Sequence, residues 1–362
     1  MDRFRARCDK LRKSLAKAGA DGLLVTNFVN VTYLTGFTGD DSFLLVTPKH
    51  AILLSDPRYT TQIEEECGGI DVEIRSVKMN MLELVARAVE RAGPKQLAVE
   101  ADSITLGLAD RIANKLPKVG LVPLPNLVER QRMVKDKEEV AEIRRAIDQA
   151  QRAFAVLRAS IRPEQTEKEV ADNLEHQMRL FGAKGASFPS IIAVGPRAAL
   201  PHARPTAKRI GESEFVLVDW GADSLYKSDL TRVLVTGKIP PKLERVYGVV
   251  LKAQLAGIEA IRPGVSCQDV DSAARKVIED AGFGRQFGHG LGHGIGLDIH
   301  EGPRLGQGQK HILESGMVVT VEPGIYLPGW GGVRIEDDVL VTKGGHEVLT
   351  NVPKQWSDAC LV

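Results

Sequence analysis

The tripeptide Ile161-Arg162-Pro163 returns as Ile261-Arg262-Pro263, and at the same offset of 100 residues Val170 is matched by Val270 and Gly182 by Gly282. Thr166 with Glu169 has the spacing of a capping box at a helix start, and Ser266 with Asp269 repeats it. Each copy follows a long helical pattern and runs through a second helix that stops at a glycine. It then passes into an extended stretch holding histidine, His202 in the first copy and the histidines of 289–300 in the second. The identities are few, but whole elements recur at the fixed spacing. A duplicated unit of this kind predicts two α+β halves packed about a pseudo-twofold axis, with a ligand cleft between them.

Working outward, six short β-rich runs precede the duplication: GLLVT at 22–26, SFLLV at 42–46, AILLS at 51–55, DVEIR at 71–75, QLAVE at 96–100 and LVPL at 121–124. They alternate with helical patterns such as Met79 to Arg91 and Leu106 to Leu116, which reads as an α/β domain. The pattern breaks around 126–135, and one long charged amphipathic helix is predicted from Lys137 to Ile161. The expected division is 1–127 and 128–362, and a chain of 362 residues exceeds what one core ordinarily serves. The basic start is interrupted by Asp2 and Asp9, and Phe4, Cys8, Leu11, Leu15 and Ala18 recur at three- and four-residue steps. It reads as an amphipathic core helix and not as a targeting peptide.

Lys plus Arg is 48 against 47 Asp plus Glu, so a net charge of +1 provides no global field for nucleic acid or an anionic membrane. Aromatic residues are 5%, thin for platforms that stack bases. Cys8, Cys67, Cys267 and Cys360 show no ligand spacing, which argues against a disulfide framework and for a reducing, cytoplasmic setting. The uncharged stretch Gly22 to Gly39 is too short and polar to span a bilayer. Asn30-Val31-Thr32 spells a glycosylation sequon, but no secretory signal accompanies it.

Three stretches carry chemistry. The apolar run Phe215 to Val218 leads into Asp219, and a turn through Gly221 brings back Asp229. A buried carboxylate is costly unless paired or bound to a cation; the ordinary alternative is a turn cap at Asp219 and an Asp229–Arg232 pair. In the second stretch, from Phe287 to Glu301, His289, His293 and His300 account for three of eight histidines within twelve positions. Glycine alternates from Gly288 to Gly296, and since each would cost a helix about 1 kcal/mol, an extended segment or a flexible glycine-rich loop is expected. Neither a zincin nor a dinucleotide fingerprint fits here. In the third, Val318 to Val321 leads into Glu322, and Arg334 and Glu336 alternate onto one face of a second strand, where a surface pair is the ordinary alternative.

Asp219, Asp229, Glu322 and Glu336 with at least one histidine could not all ionise in one cleft without cations, and two divalent ions would neutralise them. Oxygen-rich ligation with a single imidazole suits Mn²⁺, with Co²⁺ and Zn²⁺ less distinctive. Two such ions lower the pKa of a bridging water and polarise a carbonyl or phosphoryl oxygen, so the chemistry is hydrolysis. No G-x-S-x-G and no phosphate-binding P-loop motif occurs.

At these residues the sequence resembles the proline-specific metallopeptidases of the pita-bread fold, the aminopeptidase P and prolidase family. Tyr33-Leu-Thr-Gly-Phe37 and Asp56-Pro-Arg-Tyr59 are similar to that family's N-terminal domain, and Leu200-Pro-His202 through Glu336 to its catalytic domain. The resemblance implies an α/β N-terminal domain of creatinase/prolidase type and an α+β pita-bread catalytic domain. It implies metal ligation by Asp219, Asp229, His293, Glu322 and Glu336, with Glu322 also taking the water's proton. His289 and His300 would contact substrate near the metals, His202 would line the substrate pocket, and Arg334 would orient Asp229. The implied activity is two-metal hydrolysis of the Xaa-Pro bond at the N-terminus of proline-containing peptides, as an aminopeptidase or a dipeptidase, by a homodimer. The alternatives are a non-catalytic peptide-binding protein of the same fold and an exopeptidase without proline specificity. A complete ligand set weighs against the non-catalytic one.

Overall fold

The computed structural model of the protein describes residues 3–361; Asp2 lies outside them. The chain divides into two compact units, Met1–Arg132 and Met133–Val362.

In the first unit the predicted N-terminal helix is α1 (Arg3–Lys17), which buries Cys8, Leu11 and Leu15 on one face. The six β-rich runs are the six strands of one sheet: β1 (Gly22–Val25), β2 (Phe43–Val46), β3 (Ala51–Ser55), β4 (Asp71–Ile74), β5 (Gln96–Glu100) and β6 (Gly120–Leu124). Their order is β4-β3-β2-β1-β5-β6. The two β1–β2–β3 pairings are antiparallel and the outer pairings parallel, as expected where helices form the crossovers. The helices are α2 (Phe28–Thr35), α3 (Thr60–Glu66), α4 (Met81–Ala92), α5 (Leu106–Lys115) and α6 (Glu129–Arg132). Leu24, Leu45 and Leu54 of the sheet pack with Val85, Val89 and Ile112 of α4 and α5.

The division after Arg132 falls beyond the break expected at residue 127, and α6 supplies the reason. Asn30 Nδ2 donates to Glu100 Oε1 (2.7 Å) and Glu129 Oε1 (2.6 Å), while Arg132 Nη1 donates to Asn30 Oδ1 (2.8 Å). These bonds hold α6 in the first unit. They also close the sequon, since Asn30 is fully buried.

The second unit repeats a helix pair over a sheet. The long predicted helix is α7 (Lys137–Ser160), followed by α8 (Glu167–Leu180); a hundred residues on come α9 (Pro241–Ala260) and α10 (Cys267–Asp280). The Thr166–Glu169 capping box makes both of its bonds. At α10 Ser266 accepts from the Asp269 N–H without the return bond, because the aspartate is one methylene shorter than Glu169. Gly182 and Gly282 follow their helices at φ +98° and +85°, a backbone that side chains disfavour.

The strands of this unit are β7 (Gly185–Ala186), β8 (Ile191–Val194), β9 (Phe215–Trp220), β10 (Ala222–Asp223), β11 (Leu230–Val235), β12 (Gly292–Gly294), β13 (Glu301–Leu305), β14 (Val318–Val321), β15 (Gly324–Leu327), β16 (Gly331–Arg334), β17 (Asp337–Val341) and β18 (His346–Val348). Three form the sheet β11-β9-β8 and five form β13-β12-β14-β17-β18; β15–β16 and β7–β10 pair separately. A short helix, α11 (Trp356–Ala359), closes the chain. Phe154, Leu157, Leu174 and Met178 cover Val216, Val218 and Trp220 in the first half. Val246, Val250, Ala274 and Ile278 cover Leu291, Val319 and Val321 in the second.

The second strand expected to carry Arg334 and Glu336 is broken between them. β16 pairs with β15 and β17 with β14, and between them Glu336 makes an isolated antiparallel bridge to Thr231. That bridge joins the three-stranded sheet to the five-stranded one. Among the described residues no helix is long and apolar enough to cross a membrane.

Candidate active site

The three stretches that carry chemistry meet where the two sheets join. Asp219 lies on β9, whose residues are all buried, and Asp229 precedes β11 by one residue; in their antiparallel register Thr231 faces Asp219. Glu322 follows β14, its N–H donating to Leu291 O (2.8 Å). Glu336 stands at the bridge, its N–H donating to Thr231 O (3.1 Å) and its Oε2 accepting from Thr231 Oγ1 (2.6 Å). His293 occupies the centre of β12, between β13 and β14. A Cβ on Gly292 would collide with the Thr320 carbonyl and one on Gly294 with the Gly302 carbonyl. These glycines let neighbouring strands close on His293, so Gly292–Gly294 is packed sheet, while the glycines on either side lie in irregular backbone.

His293 Nδ1 lies 3.0 Å from Gly294 O, a partner that can only accept, which leaves Nε2 with its lone pair facing the carboxylates. Nε2 is 3.6 Å from Asp229 Oδ2 and 3.5 Å from Glu322 Oε1. Asp229, His293 and Glu336 each offer a ligand atom, all within 4.8 Å of one another. Asp219 stands beside this group with its Oδ2 held by Arg334 Nη2.

Arg334 therefore reaches Asp219, not Asp229 as the family resemblance implied. Its Nε donates to Thr231 Oγ1 (3.0 Å), the cross-strand neighbour of Asp219, and this aims the guanidinium at β9. Its Nη1 donates to Tyr326 Oη (2.8 Å), and Nη2 lies 3.5 Å from Pro201 O. Asp229 is fixed instead through its own N–H, which donates to Asp338 Oδ2 (3.2 Å). The Arg232 of the ordinary reading pairs with Asp337, on the opposite face.

The histidines separate by position. His289 Nδ1 lies 2.7 Å from Gly290 O and its Nε2 2.9 Å from Tyr326 Oη, so the phenol links His289 to Arg334. The His300 ring meets the His293 ring edge-on at 4.4 Å between centroids and is exposed. His202 is also exposed, next to Pro201, and lies close enough to act electrostatically on Asp219, His289 and His300. Tyr326, Thr231, Thr320 and Asp338 are site residues that sequence reasoning missed. Tyr326 sits in the apolar run GIYL, which reads as core, and the two threonines sit inside strands.

The electrostatics show a surplus of acid. Burial pushes the Asp229 and Glu336 carboxyls well above the carboxylate range, and their acidic neighbours push further. Burial raises Glu322 to about 7, and it raises Asp219 despite the facing Arg334. Burial lowers His293 and His289 to about 4. Asp219 Oδ1, Glu336 Oε1 and Asp338 Oδ1 are buried with no hydrogen-bond partner among the described residues. Orphaned carboxylate oxygens cost stability unless a cation meets them, and four carboxylates with one imidazole are a donor set for hard to borderline divalent ions.

Comparison with known proteins agrees. Residues 141–343 match metallopeptidase family M24, and residues 7–134 match the Creatinase/Prolidase N-terminal domain. The solved structure of an Xaa-Pro dipeptidase from Bacillus anthracis is 38% identical, covers 97% of this chain and 99% of that one, and superposes with a TM-score of 0.94. An X-Pro aminopeptidase from Thermotoga maritima is 35% identical over 95% of this chain and 99% of that one, with a TM-score of 0.88. An Xaa-Pro dipeptidase of Pyrococcus horikoshii is 34% identical over 98% of this chain and 99% of its own length. The fold is that of the prolidases, an N-terminal creatinase-type domain followed by a pita-bread catalytic domain. With its acidic cluster inside the matched region and the match running nearly end to end, the chain belongs to metallopeptidase family M24 and is a peptidase.

Proposed function

We propose that the protein hydrolyses the Xaa-Pro bond at the free N-terminus of short peptides, with two divalent cations held by Asp219, Asp229, His293, Glu322 and Glu336. The observation that carries this reading is the meeting of Asp229, His293 and Glu336 within 4.8 Å, beside buried carboxylate oxygens that no donor among the described residues serves. Relatives that act on Xaa-Pro and X-Pro substrates, similar along almost the whole chain, supply the specificity.

Cations held by these residues would supply Lewis-acid polarisation of the scissile carbonyl and a nucleophilic water at neutral pH. The chain's own groups do the rest. Glu322 Oε1, next to the Thr320 hydroxyl and partly open to the cleft, takes the proton of the attacking water. His300, exposed beside the His293 ring, hydrogen-bonds the developing oxyanion and passes a proton toward the leaving proline nitrogen, while His289, held by Gly290 O and the Tyr326 hydroxyl, contacts the substrate. His202 lines the peptide pocket. Arg334, bonded to both Asp219 and Tyr326, keeps the Asp219 carboxylate in place and couples it to His289. Oxygen-rich ligation with one imidazole favours Mn²⁺ over Co²⁺ and Zn²⁺. A homodimer accords with the family resemblance, and a reducing, cytoplasmic setting accords with four free thiols.

The test is turnover of an Xaa-Pro dipeptide, an Xaa-Pro-Yaa tripeptide and matched Xaa-Ala peptides by protein loaded with each metal in turn. Cleavage restricted to the proline substrates and strongest with Mn²⁺ is expected, and the two proline substrates separate dipeptidase from aminopeptidase action. Equal rates on Xaa-Ala would remove the proline assignment while leaving the metal chemistry.

A further inference from the structure

We propose that two buried carboxylates with their arginines, Asp271–Arg275 and Glu167–Arg197, are positioning residues that hold the backbone segments carrying the pocket histidines His289 and His202. The inference rests on the substrate-side reading of those histidines.

Asp271 and Arg275 lie one turn apart on α10, and Asp271 is fully buried. Arg275 Nε donates to Asp271 Oδ2 (2.8 Å) and Nη2 to Oδ1 (2.9 Å). The same guanidinium reaches across to the histidine segment, Nη1 donating to Phe287 O (3.0 Å) and Nη2 to His289 O (2.8 Å). Asp271 Oδ1 also accepts from Leu291 N–H (3.0 Å). One pair on a helix thus grips residues 287, 289 and 291, and His289 Nδ1 bonds to a carbonyl of that same stretch.

In the other half Glu167 opens α8 and is equally buried. Its Oε1 accepts from Val194 N–H (2.9 Å) and Arg197 Nε (2.9 Å), and its Oε2 from Arg197 Nε (2.9 Å), Thr206 N–H (2.9 Å) and Thr206 Oγ1 (2.6 Å). Glu167 N–H donates to Lys208 O (2.8 Å), and Arg197 Nη2 to Arg204 O. One carboxylate therefore closes both ends of the loop that presents Pro201 and His202.

At the repeat offset of 100, Asp271 corresponds to position 171, one helical turn after Glu167 and so on the same helix face. The two halves share a device without sharing the letters, which is why the sequence echo does not reveal it. Each anchor stands one step away from the residue it serves. Its function is to remove freedom from a backbone that must present an imidazole within about 0.5 Å of its working position.

Asp271→Asn and Glu167→Gln, made in the full chain and loaded with Mn²⁺, test the proposal through metal content, hydrogen exchange and kinetics. The expected result is wild-type metal content with faster exchange confined to 287–291 in D271N and to 194–208 in E167Q. KM for an Xaa-Pro peptide should rise by about tenfold or more, with a smaller change in kcat. Should D271N fail to fold, Arg275→Lys, which keeps the charge and loses the fork, is read in the same way. Unchanged exchange in both segments with unchanged KM, or loss of metal in proportion to loss of activity, would overturn the proposal. Because exchange needs no substrate, segment-confined loosening in a protein that cleaves no Xaa-Pro peptide would support the positioning pairs while removing the peptidase reading.

Discussion

Glu336 and Asp337 follow one another in the chain and are each 1% exposed, yet they face opposite sides of the sheet junction and meet opposite surroundings. Asp337 Oδ1 accepts from Arg232 Nη2 (2.7 Å) and Thr350 Oγ1 (2.6 Å), and its Oδ2 from Gln254 Nε2 (2.7 Å) and Lys354 Nζ. Burial alone would raise this carboxyl, but Arg232 and Lys354 outweigh it and hold it below its ordinary range. Glu336 has Thr231 on one oxygen and no hydrogen-bond partner among the described residues on the other, and burial drives it well above its range. Burial therefore does not separate a structural carboxylate from a proposed metal ligand. The separation lies in whether the protein supplies the counter-charge itself or leaves it to a ligand.

Substitution at the two positions should break this comparison most visibly. Glu336→Gln removes a proposed ligand and should lower the rate on the order of 10³-fold while the fold persists, since Lewis-acid stabilisation is worth several kcal/mol. Asp337→Asn leaves the buried Arg232 and the partly buried Lys354 without their charged partner. It should destabilise the second unit by about 3 to 5 kcal/mol, a melting-temperature drop on the order of 10 °C, with metal content per folded chain unchanged. If the two variants exchanged these outcomes, the account of the junction would be wrong.

The histidines sharpen the same distinction at smaller effect. His293→Ala should lower metal occupancy and rate together. His300→Ala should keep its metal and lose kcat by about 10²-fold, the usual worth of a positioned proton donor. An H300A protein that loses metal and recovers activity in excess Mn²⁺ would make His300 a ligand.

The smallest effect is in the pH dependence of the metal-free protein. For Glu336 the native carboxyl is raised above the unfolded value near 4.5, so its contribution is present below that pH and is lost as pH rises through the native value. For Asp337 the native carboxyl is lowered, so its contribution is present above 3.8 and is lost as pH falls. Without metal, E336Q should gain in melting temperature relative to the wild type from pH 5 to 8, by a few degrees. The deficit of D337N should stay level over that range and shrink only in acid. Added Mn²⁺ should erase the wild-type decline. A metal-free wild type that gains on E336Q with rising pH would contradict the assignment.

These residues also mark how far the sequence could be read. Asp219 and Glu322 were legible because each ends an apolar run, where a carboxylate is out of place, and Asp229 because a turn returns it beside Asp219. The six strands of the first unit were legible from β-rich runs between helical patterns. The target of Arg334 was not legible, because Asp219 lies 115 positions away and only the Thr231 hydroxyl decides which aspartate the guanidinium meets. Nor was the break between β16 and β17, since Val333 to Glu336 alternates smoothly and the change of partner is set by the bridge to Thr231. Tyr326 reads as core because its ring is core; only its hydroxyl belongs to the site.

The most direct test of the central claim is to count divalent ions per chain by elemental analysis while activity on an Xaa-Pro peptide is titrated back after chelation. Two Mn²⁺ per chain are expected, with a chelated protein that stays folded and inactive and regains its rate in proportion to the ions returned. Full turnover by protein stripped of divalent metal would contradict the account.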